Sequence, residues 1–190
     1  MSADIRLSPR LLVAAASTFV GMVEAERRRD TSHWVEKVAR EVGAAPGERW
    51  DVALLQHCGY WSHFDHHAER SCWPIHEAAT PDDLAVYGRA HNLLRRDPRD
   101  GDILLQFSPV RRGFVRAGLV ARVVRRGWWT PGRPYVDVLS IEGGVGDASQ
   151  LGGAHVLRVE RRLSACYGDR FLRWADARAH EATAVISEAA

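Results

Sequence analysis

One stretch, residues 57–76, gathers side chains able to bind a metal or move a proton: His57, Cys58, His63, Asp65, His66, His67, Cys72 and His76. Imidazole, thiolate and carboxylate are the donors zinc takes, usually four around a tetrahedral ion. The spacing argues against such a site, with no Cys-x-x-Cys and no His-Glu-x-x-His. His63 and His67 stand four apart and share a face if the segment is helical, leaving Asp65 off it. The metal candidates are therefore His63, His67, Cys72 and His76, and the expectation is no bound cofactor. Cys58 and Cys72 read better as core thiols, because free cysteine packs like a small hydrophobe. Trp61, Phe64 and Trp73 interleave here, as they would along an aromatic-lined groove.

Two other patterns carry less. Gly143-Gly144-Val145-Gly146 and Gly152-Gly153 lack the Lys-Ser/Thr of a phosphate loop and read as a hairpin connection. The doublets Arg95-Arg96, Arg111-Arg112, Arg125-Arg126 and Arg161-Arg162 read as solvated strand ends, with an anionic-polymer patch as the minority reading.

Helices come first and strands second. Ser8 caps a helix with Pro9 at its first position and Leu12, Ala15, Phe19 and Val23 near one face. Arg6, Arg10 and the following apolar tract also imitate a signal peptide, but such a peptide seldom carries a helix-start signature. Thr31-Ser32 opens a second helix ending at Gly43, and Pro46-Gly47 is a turn. A third helix starts near Arg49 and is apolar nearly all round, hence central. Thr80-Pro81-Asp82-Asp83 starts a fourth. Strands follow at Asp102 to Phe107, Phe114 to Val124, Tyr135 to Ile141 and His155 to Val159. The tail from Leu172 reads as a short helix or a frayed end. This order predicts an α+β domain, with helices packed on an antiparallel sheet.

Several short motifs, in order, resemble the CHAP and NlpC-type cell-wall hydrolases. They are Gly21-Met22-Val23-Glu24, Trp34-Val35-Glu36, Gly47-Glu48-Arg49-Trp50, Arg99-Asp100-Gly101-Asp102-Ile103-Leu104, Ala117-Gly118-Leu119-Val120, Ile141-Glu142-Gly143 and Phe171-Leu172-Arg173-Trp174. The resemblance covers about residues 8–175 and implies a papain-like fold. In that family a tryptophan precedes the nucleophilic cysteine at the start of the central helix, where the helix dipole favours a thiolate. Here Asp51 follows Trp50. The resemblance places Arg116 at the general-base histidine and Glu142 and Gly144 at the orienting Glu-x-Asn pair.

These replacements are chemical failures. Arginine stays protonated and accepts no proton. Aspartate serves as nucleophile in some hydrolases, but attack on an amide would give an anhydride with no base to drive the next step. Cys58 lies seven residues beyond Asp51, about 10 Å along the helix. A cysteine thiolate and imidazolium form a minus/plus pair, and so would Asp51 and Arg116, joined by a charge-assisted hydrogen bond; the plainer expectation is that Asp51 caps the helix and Arg116 faces solvent.

Composition bounds the rest. The chain has 190 residues, 26 Lys+Arg against 24 Asp+Glu, a net charge of +2 and three cysteines. That is one domain's worth of chain, residues 1–190, too balanced for a strongly basic nucleic-acid footprint and too poor in cysteine for a disulfide framework. No apolar run spans a membrane. The resulting expectation is a catalytically silent relative of a peptidoglycan amidase or endopeptidase. It would bind a cell-wall peptide or a protein partner through Trp50, Asp51, Arg116 and Glu142, with Trp61 and Trp73 on the rim. The alternatives are an active hydrolase using Asp51 and Glu142 or a metal near His63 and His67, and a structural subunit of an assembly. Expected residence is cytoplasmic, or delivery by a dedicated apparatus.

Overall fold

The computed structural model describes residues 7–21, 51–65, 70–75, 78–145 and 155–177. The expected second helix, the Pro46-Gly47 turn, Trp50, His66, His67, His76, Gly146, Gly152, Gly153 and residues 178–190 lie outside them. The described chain is α+β: three α-helices, a six-stranded antiparallel sheet and a two-residue ribbon.

Helix α1 spans Pro9–Ser17, with the Ser8 hydroxyl accepting from the Leu11 N–H. Helix α2 spans Asp51–Ser62 and buries all of its first six residues, as its lack of a polar face demands. Helix α3 spans Pro81–Ala90 behind a reciprocal capping box: Thr80 accepts from the Asp83 N–H, and the Asp83 carboxylate accepts from that of Thr80. That carboxylate is held below its ordinary pKa range, first by the Thr80 hydroxyl.

Strands β1 (Phe64–Asp65) and β2 (Arg70–Ser71) form the ribbon. The main sheet comprises β3 (Leu94–Arg95), β4 (Ile103–Ser108), β5 (Gly113–Thr130), β6 (Arg133–Val145), β7 (His155–Leu163) and β8 (Arg170–Leu172). Its order is β3-β8-β4-β5-β6-β7, all antiparallel. The last strand in sequence therefore lies inside the sheet, beside β4. Three of the four expected strands are longer than the sequence suggests, since β5 continues through Arg125-Arg126-Gly127 to Thr130.

The alternation along the strands sorts two cores. Ile103, Leu105, Ala117, Leu119, Ile141, Val156 and Leu172 meet the helices through Leu12, Leu54, Leu55 and Leu84. Leu104, Val120, Val136, Val138, Leu163 and Phe171 form a smaller cluster on the opposite face. Residues 116, 118 and 120 consequently point away from the helices, and 117 and 119 toward them. Among the described residues no helix is long and apolar enough to cross a membrane.

Candidate functional site

Asp51 opens α2 and is buried. One carboxylate oxygen accepts from the Val52 N–H at 3.0 Å, the other from the Ala117 N–H at 2.8 Å. The sheet explains the second bond. Val120 exchanges backbone bonds with Gly101 and Asp102 on the β4 side, so Leu119 and Ala117 turn their backbone groups toward β6. The β5–β6 ladder stops at Leu119 and Ile141, two residues short of Ala117. Asp51 supplies the missing acceptor and ties the start of α2 to β5. Its negative charge also suits a helix N-terminus.

Arg116, one residue away, points off the other face of the sheet. Its Nη1 donates to Glu142 Oε2 at 3.0 Å. Glu142 is fully buried and also accepts both arms of Arg161, Nε at 2.9 Å and Nη2 at 2.7 Å, and the Ser140 hydroxyl at 2.6 Å. Burial pushes its pKa up, but the Arg161, Ser140 and Arg116 bonds outweigh burial and hold it below the ordinary range. Gly118 makes the room: a Cβ there would lie 2.7 Å from Glu142 Cγ. Gly118→Ala should therefore displace the carboxylate and cost about 1–3 kcal/mol, measured by urea unfolding. Gly144 adopts φ +67° beside the register shift between Glu142 and Val145. Glycine fits such a turn at low cost.

The expected Asp51–Arg116 pair is thus replaced by two separate bonds on opposite sheet faces, Asp51 to backbone and Arg116 to Glu142. Asp51 is the first residue of the helix rather than its N-cap, though its carboxylate accepts one first-turn N–H, that of Val52, and Arg116 is not simply solvated. The remaining site residues scatter. Trp61 is half-exposed ten residues along α2, about 15 Å from Asp51 by helical rise. Trp73 is not on a rim but in the core: its Nε1 donates to Gln56 Oε1 at 2.6 Å and its ring lies 4.7 Å from that of Trp174.

His63 is likewise a core residue. Its Nε2 accepts from the Ser8 N–H at 3.0 Å, which leaves Nδ1 to carry the proton and donate to the Gly59 carbonyl at 3.1 Å. Burial pulls its pKa down, keeping the ring neutral. Both nitrogens are spent joining α1 to α2, so His63 is not a metal ligand here. Among the described residues no three His, Cys, Asp or Glu side chains converge on a point. Cys58 is buried inside α2 and burial pushes its thiol up to about 12, whereas Cys166 is exposed. Iodoacetamide at pH 8 should label Cys166 and spare Cys58 in the folded protein, as peptide mass spectrometry would read.

Of the arginine doublets, Arg95-Arg96 at the end of β3 and the exposed Arg111-Arg112 in the β4–β5 turn are strand ends as expected, whereas the other two are not. Arg125-Arg126 and Arg161-Arg162 sit within strands, one residue to each face: Arg125 and Arg162 pair with Asp137, Arg126 with Asp97 and Arg161 with Glu142. Asp137, between two guanidiniums, is lowered to about 2, chiefly by the Arg162 bond. Sequence spacing alone missed Ser140 and Arg161. Their signal was the period of two that puts Ser140 and Glu142 on one face.

A cleft of about 350 Å³ opens two residues before Ala117, between the start of α3 and the β4–β5 turn, lined by Thr80, Asp82, Arg111, Phe114 and Val115. The fold and these bonds define a helix-on-sheet α+β protein whose central helix begins on a buried carboxylate. Compared with known proteins, the chain matches no family model, no curated protein and no solved structure.

Proposed function

We propose that this protein is a catalytically silent relative of the papain-like cell-wall hydrolases that binds a peptide segment, of the cell wall or of a protein partner, at the cleft beside Val115. One observation carries the reading. The two groups at the nucleophile and base positions are both committed to structural bonds, Asp51 to two backbone N–H groups and Arg116 to Glu142. Glu142 cannot serve as a general acid, which needs a raised pKa, because its own is lowered. An extended peptide is supported as ligand by the cleft's mixed lining, to which the exposed Arg111 and the apolar Phe114 both contribute.

The test pairs a peptidoglycan-degradation assay with co-sedimentation on insoluble peptidoglycan. Expected are no turnover and binding weakened by Arg111→Ala. Turnover by wild type that Asp51→Ala abolishes would overturn silence. Folded protein that fails to sediment would remove the cell wall as ligand and leave a protein segment.

A further inference from the structure

The near-zero net charge hides a segregation. Residues 103–177 hold twelve arginines against six acids, while the remainder holds fourteen basic residues against eighteen acids. Part of that excess lies on one surface. The face of β5–β6–β7 that meets the helices near Leu119, Ile141 and Val156 continues beyond them. Register carries Arg122 and Arg125 of β5, Tyr135 and Asp137 of β6, and Glu160 and Arg162 of β7 onto this extension, with Arg158 of β7 at its border, opposite Ile141 and donating to the Ser17 hydroxyl of α1. Four arginines thus face two acids. Arg122, Arg125, Arg158 and Arg162 are all exposed.

Aromatic rings end the same surface. Trp129 lies 5.5 Å from Tyr135 and 5.4 Å from Tyr167, and Trp129 and Tyr167 are 41% and 52% exposed. Arg162 covers Tyr135 at 4.4 Å, which anchors the group and leaves Trp129 and Tyr167 as the open rings. Gly127 admits the Tyr135 ring, since a Cβ there would lie 2.5 Å from it. A cleft of about 650 Å³ runs alongside, lined in part by Arg125, Glu160 and Arg162.

We propose that this β5–β6–β7 face binds single-stranded nucleic acid, with bases stacking on Trp129 and Tyr167 and phosphates on Arg122, Arg158 and Arg162. Exposed rings beside guanidiniums on an open sheet are the means by which unpaired bases are held without sequence readout. A neutral glycan would have no use for the charge, and a simple polyanion none for the rings. A duplex hides the base faces that stacking requires. The surface lies on a part of the sheet that the α2 site does not use, so it stands or falls separately.

The experiment titrates the full chain with a 20-nucleotide dT strand, reading tryptophan fluorescence. Expected are quenching on binding and an affinity loss of roughly 5- to 150-fold in Trp129→Ala or Tyr167→Ala. Arg122→Gln, whose side chain makes no ion pair among the described residues, should reduce the slope of log affinity against log salt by about 0.7. Circular dichroism checks that each variant is folded. Inorganic polyphosphate or a dT·dA duplex binding as tightly as the single strand would overturn the proposal. So would binding of chitin oligosaccharide in place of DNA, or dT affinity indifferent to both aromatic variants.

Discussion

Glu142→Ala should destabilise the fold by about 3–5 kcal/mol, the loss that follows when one partner of a buried ion pair is removed. Two guanidiniums share this carboxylate, and each is only about one-quarter exposed. Without Glu142, Arg116 of β5 and Arg161 of β7 would stand as two like charges converging over β6 on one sheet face, and the Ser140 hydroxyl would keep only the Val159 carbonyl as acceptor. Glu142→Gln keeps the shape and one acceptor oxygen and should cost less. Acidification reads the same group by a second route. Its folded pKa is below the unfolded one, so its contribution is complete above the ordinary carboxylate range and disappears as pH falls through the lowered value. Asp102 and Asp169 act in the opposite sense, because burial raises both. The informative quantity is therefore the stability gap between wild type and Glu142→Gln, which should close as pH drops below about 4. A gap unchanged between pH 7 and pH 3 would show that Glu142 is not the charged partner.

Asp51→Ala should cost about 2–4 kcal/mol, combining the lost acceptor for the first-turn Val52 N–H with a buried Ala117 N–H left without an acceptor. Asp51→Asn, which keeps one carbonyl oxygen for one of the two N–H groups, should recover part of that. Denaturant unfolding of the two variants, with hydrogen exchange at Ala117, separates the effects. Exchange at Ala117 should accelerate in Asp51→Ala beyond what the global stability loss accounts for. If Ala117 exchanges only with global unfolding in both, the Asp51 bond does not protect it.

Local chemistry made the helix starts legible. Ser8-Pro9 and Thr80-Pro81-Asp82-Asp83 satisfy their own orphan backbone groups, so no distant residue is needed to see them. The all-round apolar character of α2 likewise announced its burial. Strand β8 was not legible, because three residues, Arg170-Phe171-Leu172, carry no period and owe their conformation to β3 and β4 on either side. Strand β5 looked shorter than it is because its last third, Arg125-Arg126-Gly127-Trp128-Trp129-Thr130, has no alternating pattern and is held by cross-strand partners on β6.

The site was half legible for a related reason. Asp51, Arg116 and Glu142 are each held in specific bonds, but which of them touch depends on sheet parity. Ala117 carries the backbone group that meets Asp51, and Arg116 leaves by the opposite face. Trp61 and Trp73 fail as rim residues because aromatic content does not report direction: one projects into solvent far along α2, and the other completes the packing around Trp174 and His63.

The place of β8 governs when this domain can exist at all. A nascent chain that has emerged only as far as Asp169 holds β3 and β4 but nothing to join them, and each presents an open edge able to recruit strands from other chains. Closure waits for the final three strand residues, which bring Phe171 and Leu172 into both cores at once. Trp174 follows directly, its indole N–H donating to the Gly101 carbonyl at 2.7 Å. Most contacts that matter are remote in sequence, a topology that folds slowly. Residues 170–174 thus act as a clasp, and the sheet cannot shut until they have left the ribosome.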